Sequence, residues 1–198
     1  MLLAFALIVL VLPAGYAQAP NSHGDRETPH FRVDVWGDVA ADFSTRVSSY
    51  FELRKELEKG VPALQVTNDP AEIWGAMRAL AERIRKARPK AKQGDFFTPP
   101  IAATFRKALL LEMDANSWAA VMDDNPGKFA VRINGSYQGG KPFSTVPPTI
   151  LAVLPKLPDD IQYRFLGRQL ILFDARANVI LDRIRHEIPL QEQRQSDY

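Results

Sequence analysis

The apolar and polar positions of this chain fall into three regimes. An unbroken apolar run, LLAFALIVLVL, occupies residues 2–12. Between residues 40 and 123 apolar side chains recur every three or four positions, the spacing that places them on one face of a helix. In AADFSTRVSSYFELRKELEKG that face holds Phe43, Val47, Tyr50, Phe51 and Leu57, and Gly60 suits the position after the last turn. A second helix opens at Asp69-Pro70-Ala71-Glu72. Asp69 can accept from the free N–H groups of the first turn, Pro70 has none to leave unbonded, and Glu72 closes a capping box. Its stripe is Ile73, Met77, Leu80, Ala81 and Ile84, with Trp74 at the edge, and Arg88-Pro89 ends it. Thr98-Pro99-Pro100 starts a third helix through Ile101, Phe105, Leu109 and Met113. A short fourth, over Ser117–Asp123, carries Trp118, Val121 and Met122.

After Pro126-Gly127 the period falls to two. Phe129, Val131 and Ile133 alternate with Ala130, Arg132 and Asn134, as in a strand with one buried face. IQYRFL and QLILFD flank Gly167-Arg168, and a glycine in the first turn position predicts a type II′ β-hairpin over residues 161–174. In TVPPTILAVLPKLP, Pro147-Pro148 start and Pro155 stops a helix of about two turns. DARANVILDRIRHEI, residues 174–188, is decided by period. As a strand it would mix Asn178, Ile180, Asp182 and Ile184 on one face; as a helix it stacks Ile180, Ile184 and Ile188 and groups Asp174, Asn178 and Asp182 apart from them. A helix is expected, with a solvated polar stripe and Asp174 as its cap. The predicted fold class is α+β: an N-terminal helical layer packed on a small C-terminal antiparallel sheet, one domain over residues 31–190, and a polar tail at 191–198.

The first apolar run has 11 residues, whereas a membrane-spanning helix needs about 20. Pro13 and small residues ending Ala17-Gln18-Ala19 follow, so residues 1–19 match a secretory signal with an A-x-A cleavage site. The competing reading is a buried N-terminal helix. Residues 20–30, polar and bounded by prolines, form a flexible leader. Localisation is therefore expected to be exported, periplasmic or secreted, with no transmembrane segment after cleavage.

The run YRFLGRQLILFDARANVILDRI, preceded by TVPPTILAVLPKLPDDIQ, resembles the C-terminal segment of a family of exported bacterial proteins of unknown function. FTPPIAATFRKAL at 97–109 resembles the same family. The resemblance implies export and a fold; it implies no activity, cofactor or catalytic residue.

Composition narrows the chemistry. The 198 residues are 46% hydrophobic and 24% charged, as in a packed globular protein. With 25 Lys+Arg against 23 Asp+Glu there is no overall field for nucleic acid or membrane. No cysteine is present, which excludes disulfides, thiolate metal sites and a cysteine nucleophile. Gly135–Lys141 satisfies G-x-x-x-x-G-K, but Pro142 stands where magnesium needs a hydroxyl and PFSTVPP cannot continue as a helix, so it reads as a glycine-rich connection. The Asp174, Asn178 and Asp182 stripe supplies too few oxygens to enclose calcium. Asp123-Asp124 and Asp159-Asp160 read as turn residues. His186-Glu187 lacks the second histidine of H-E-x-x-H, and no G-x-S-x-G occurs.

One local asymmetry remains. RIRKARPKAK places Arg83, Arg85, Lys86, Arg88, Lys90 and Lys92 within ten residues that contain no acid. Part of this offsets a helix dipole; the rest forms a candidate anion-binding segment for an envelope component. No aromatic residue interleaves the cations, so base stacking is not offered and nucleic acid is disfavoured. Two functions follow: a non-enzymatic envelope or periplasmic binding or accessory module, with an anionic component or a protein as partner, or a small hydrolase or transferase using His186 with Asp174 or Asp182. No cofactor and no metal are expected. Exported material should begin at Pro20, so its intact mass should lack residues 1–19; a retained Met1 in secreted protein would contradict the signal reading.

Overall fold

Every helix that the spacing predicts before residue 124 forms, and the first two end just before Gly60 and Arg88-Pro89, the residues expected to stop them. The computed structural model describes residues 33–61, 69–124, 130–137 and 143–185. The expected signal and leader, the 138–142 part of the glycine-rich connection, His186 and the tail lie outside the described residues. The elements are α1 (Val33–Glu58), α2 (Pro70–Ala87), α3 (Pro99–Glu112), α4 (Ala115–Asp123), α5 (Pro148–Val153), β1 (Ile161–Leu166), β2 (Gln169–Asp174) and β3 (Val179–Arg185). The α+β class and the hairpin at 161–174 are as the sequence predicts.

Local chemistry sets the boundaries. Asp69 accepts from the N–H of Ala71 at 2.8 Å with Pro70 behind it, and Asp114 caps α4 by accepting from Ser117 at 2.7 Å. Gly167 has φ +58° while Arg168 does not enter the positive region, the pattern of a II′ turn. Strand order is β1-β2-β3, antiparallel throughout. The helical face of the sheet meets Phe43 and Val47 of α1, Leu80 and Ile84 of α2, and Ile101, Phe105 and Leu109 of α3, all buried. Phe43 sits at the centre, 5.0 Å from the Phe105 ring and 5.5 Å from Phe97. Aromatic pairs of this kind add about 0.5–1.5 kcal/mol each beyond the area they bury.

Two expectations are corrected. Residues 130–134 form no strand: Val131 and Ile133 do turn inward, but onto the opposite face of the sheet, beside Leu166, Ile171, Phe173 and Ile180. Among the described residues of this segment the main-chain bonds to β3 come from Asn134 and Gly135 alone, through Ile180, at 2.8 and 2.9 Å, and Val131 O accepts from the Arg183 side chain at 3.2 Å. The larger correction is the segment from Asp174. It is not a helix but a turn over 175–178 followed by β3. Both faces of β3 are covered, one by helices and one by Val131, Ile133, Tyr137 and Phe143, so burial along it does not alternate. A β-bulge then breaks the remaining period: Phe173 pairs with Ile180 and Leu172 with Asp182, leaving Leu181 extra.

That bulge turns Asp182 toward the helices. Val179 and Leu181 belong to the helical-side core, so regular alternation would send Asp182 to the other face. With one residue inserted, Asp182 comes opposite Leu172, which also faces the helices, and is fully buried. Its carboxylate accepts from the N–H groups of Gly94, Phe96 and Phe97 at 2.8–3.1 Å, all in the α2–α3 connection, and from Arg183 at 2.8 Å. Gly94 has φ +93°, a conformation that a side chain would strain. Asp182→Ala should cost about 3 kcal/mol or more, because each donor left unsatisfied costs about 1–3 kcal/mol. Urea denaturation should show a smaller loss for Asp182→Asn, which keeps one acceptor; equal midpoints for all three proteins would mean the carboxylate does not hold the loop.

Candidate functional site

The six cations of residues 83–92 are divided by the structure into two sets. Arg83 donates to the carbonyl of Gly60 at 2.9 Å and so closes the end of α1. Arg85 donates to Asn134 O at 3.1 Å and to the Ser136 hydroxyl. Arg88 lies over the rings of Tyr50 and Phe96, 5.3 and 5.0 Å from their centroids, and pairs with Asp95 at 3.4 Å. Its carbonyl accepts from the Asn134 amide at 3.0 Å. Arg88 is thus a packed residue and not a solvated helix end. Lys86, Lys90 and Lys92 are exposed, and among the described residues no ion pair takes them. Lys86 lies in the last turn of α2, and Lys90 and Lys92 lie in the connection just after it.

The polar stripe expected to face solvent is instead turned inward. Asp174 is fully buried at the end of β2. The Tyr50 hydroxyl donates to its Oδ2 at 2.6 Å, Arg54 Nη1 lies 3.4 Å from its Oδ1, and the N–H of Ala177 donates to the same oxygen at 3.1 Å. Arg54 also reaches Asp160 Oδ2 and Asp159 O, both at 3.4 Å, which makes that acidic pair the rim of the cluster. Asn178, at φ +51°, exchanges hydrogen bonds with both backbone groups of Tyr137. Asp174 and Asp182 therefore serve the fold: both are fully buried, and their carboxylates accept from groups of α1, the 175–178 turn, the α2–α3 connection and β3.

Arg54 was not singled out by its residue type, yet its position carried a signal. It lies four residues after Tyr50, on the stripe Phe43, Val47, Tyr50, and a cation there must find a buried partner. Burial pushes the Asp174 carboxyl above its ordinary value, opposed by the Tyr50 hydroxyl, Arg54 and the Ala177 N–H. Burial, then the Asp174 charge, pushes the Tyr50 phenol upward as well.

An open groove of about 520 Å³ lies between α5 and β1. Val146, Leu151 and Leu157 make its apolar wall, Tyr163 lies at the strand, and Lys156 and Arg164 are its charged groups. Arg164 Nε and Nη2 both donate to Gln162 Oε1, at 3.0 and 2.8 Å. Among the described residues no helix is long and apolar enough to cross a membrane. No family model matches the chain, and neither a curated protein nor a solved structure matches it.

Removing Asp174 as alanine should cost about 3–5 kcal/mol, since Arg54 would keep a buried charge with its main partner gone. Tyr50→Phe should cost about 1.5–3 kcal/mol, the range for a bond to a charged group. The pH dependence has a definite sign. A carboxyl whose folded pKa is raised binds its proton more tightly in the folded state, so its contribution is most favourable below the unfolded value near 3.9 and is lost as pH rises through the folded value. Denaturation midpoints measured from pH 3.5 to 7 should therefore shift in favour of Asp174→Asn, relative to wild type, as pH rises.

Proposed function

We propose that the chain is an exported, non-enzymatic accessory module of the cell envelope that binds an anionic component through the C-terminal edge of α2. The observation that carries this reading is the division of the basic segment: Arg85 and Arg88 bond inward and Arg83 is tied to Gly60 O at the surface, while among the described residues no ion pair takes the exposed Lys86, Lys90 and Lys92. Three lysines left outward within seven residues are more than the dipole of one helix end calls for. Lysine suits a diffuse anionic surface, since it acts as a compact charge on a flexible stem, whereas arginine suits fixed planar partners. The apolar run at 2–12 with Ala17-Gln18-Ala19 after it supports export, as does the resemblance of the 145–184 region to exported bacterial proteins. The hydrolase or transferase reading is less well supported, because both carboxylates it would use are committed to the interior.

Cosedimentation with vesicles tests the proposal. Binding is expected to vesicles containing anionic phospholipid and not to zwitterionic ones. Each lysine at such a surface contributes about 1 kcal/mol, and attraction beyond about 8 Å is screened at physiological ionic strength. Replacing Lys86, Lys90 and Lys92 by Ala should abolish the pelleted fraction at low salt and leave the denaturation midpoint unchanged. Arg88→Ala, by contrast, should lower the midpoint. Wild-type protein that stays in the supernatant with anionic vesicles at low salt would overturn the reading.

A further inference from the structure

We propose that the groove between α5 and β1 is a second binding site, which takes an acidic extended peptide as a fourth strand beside β1. This goes beyond the α2 edge and uses none of its residues.

The sheet supplies the main-chain half of the site. β1 is an edge strand, and its hairpin closes on the pair Leu166–Gln169 across a two-residue turn. That closure makes Leu166, Arg164 and Gln162 the residues that bond to β2, so the backbone groups of Ile161, Tyr163 and Phe165 point away from it. Two of those positions are already served. The N–H of Phe165 donates to Ser144 O at 3.4 Å, and the N–H of Ile161 donates to Pro158 O at 3.1 Å. Ser144 is itself fixed, fully buried and donating to Val121 O at 2.9 Å. After Ser144 the chain leaves the strand, because Pro147-Pro148 carry it into α5. Tyr163, which lines the groove, is left at the edge with its N–H and C=O pointing away from β2, and among the described residues neither is bonded to another strand.

An unpaired donor and acceptor on a rigid edge recognise the one ligand that offers the complementary pair at strand spacing, an extended main chain. The Tyr163 ring cannot swing to block it, since it is buried and its hydroxyl donates to Pro155 O at 3.0 Å.

The side chains state what kind of peptide fits. Leu151 is 48% exposed on α5 and faces the same groove as the more buried Val146, a surface suited to an apolar residue of the ligand. Lys156 and Arg164 are both cations, and no acid lines the groove. Arg164 is already oriented by its two bonds to Gln162, so its Nη1 is held in a defined direction at low further cost in side-chain entropy. Alternate residues of a strand point to opposite faces, which predicts apolar and acidic side chains in alternation.

The probe is a fluorescein-labelled peptide with capped ends and alternating valine and glutamate, measured by fluorescence anisotropy against the full-length protein. Its controls are the same peptide with lysine for glutamate, and with the central valine N-methylated. The acidic peptide should bind at low salt, and the lysine peptide should bind at least about tenfold more weakly. N-methylation removes one main-chain donor and leaves charge intact, so an about tenfold loss there reads strand pairing specifically. Lys156→Glu with Arg164→Glu should reverse the preference between acidic and basic peptides. Leu151→Asp, at an exposed position, should weaken the acidic peptide and serves if the double variant does not fold. The proposal is overturned if the acidic peptide does not bind, if N-methylation leaves its affinity unchanged, or if sedimentation shows a dimer that the peptide does not dissociate.

Discussion

The carboxylate of Asp182 beneath three backbone N–H groups is the contact on which the arrangement of layers depends. It comes from β3 and binds the loop that joins α2 to α3, so a single side chain ties the sheet to two helices. An apolar residue at that place would leave the amides of Gly94, Phe96 and Phe97 buried without acceptors, since Phe96 and Phe97 lie in the core. The bulge at Leu181 exists in the same sense: without the inserted residue, the carboxylate would sit on the wrong face. Register, loop conformation and core packing are thus one constraint expressed three times.

Asp174 repeats the logic at the other end of the hairpin. There the donors are side chains, Tyr50 and Arg54 of α1, and not amides. Arg54 continues outward to Asp159 and Asp160, and Arg176 in the turn pairs with Glu58 at 2.7 Å, so α1 is fastened to the sheet along its last two turns. Arg88 joins this cluster from α2 by covering the Tyr50 ring. Among the described residues three charged side chains, Arg54, Asp174 and Asp182, are drawn between the layers, where the low dielectric makes each satisfied bond more consequential.

The difference between what was legible and what was not follows from this. A helix with one buried face writes that face into its spacing, and Phe43, Val47, Tyr50 or Ile101, Phe105, Leu109 can be read directly. Hairpin chemistry at Gly167-Arg168 is equally local. β3 has no such signature: it is covered on both sides, interrupted by a bulge, and holds an aspartate in its interior, so a helical period describes its isoleucines better than a strand's does. Residues 130–134 show the converse. Their alternation truly reflects inward and outward side chains, yet the chain turns at 132–135, where Asn134 has φ +60° and the Gly135 N–H bonds back to Arg132 O, so the main chain meets edge strand β3 at Ile180 alone among the described residues. The basic segment was legible as charge, but the packing of Arg85 and Arg88 apart from the exposed lysines depends on Tyr50 and Asn134, which are distant in sequence.

The groove beside β1 belongs wholly to the illegible part, and its origin is physical. Pro147 and Pro148 cannot continue a ladder along β1, and Pro148 begins α5 at once. The strand that Ser144 starts is therefore cut after one bridge, and the helix that follows stands off from the edge it has just left. The register of the Ser144–Phe165 bridge would set Val146 opposite Tyr163, so a fold that closed this edge would need Thr145 and Val146 to continue the ladder before the helix. Placing prolines there leaves Tyr163 with main-chain groups that no strand among the described residues serves, next to an exposed leucine and two cations. The same prolines that stop the sheet thus produce both the opening and its walls, and the acidic strand proposed for it is the ligand that would complete the hydrogen bonding they interrupt.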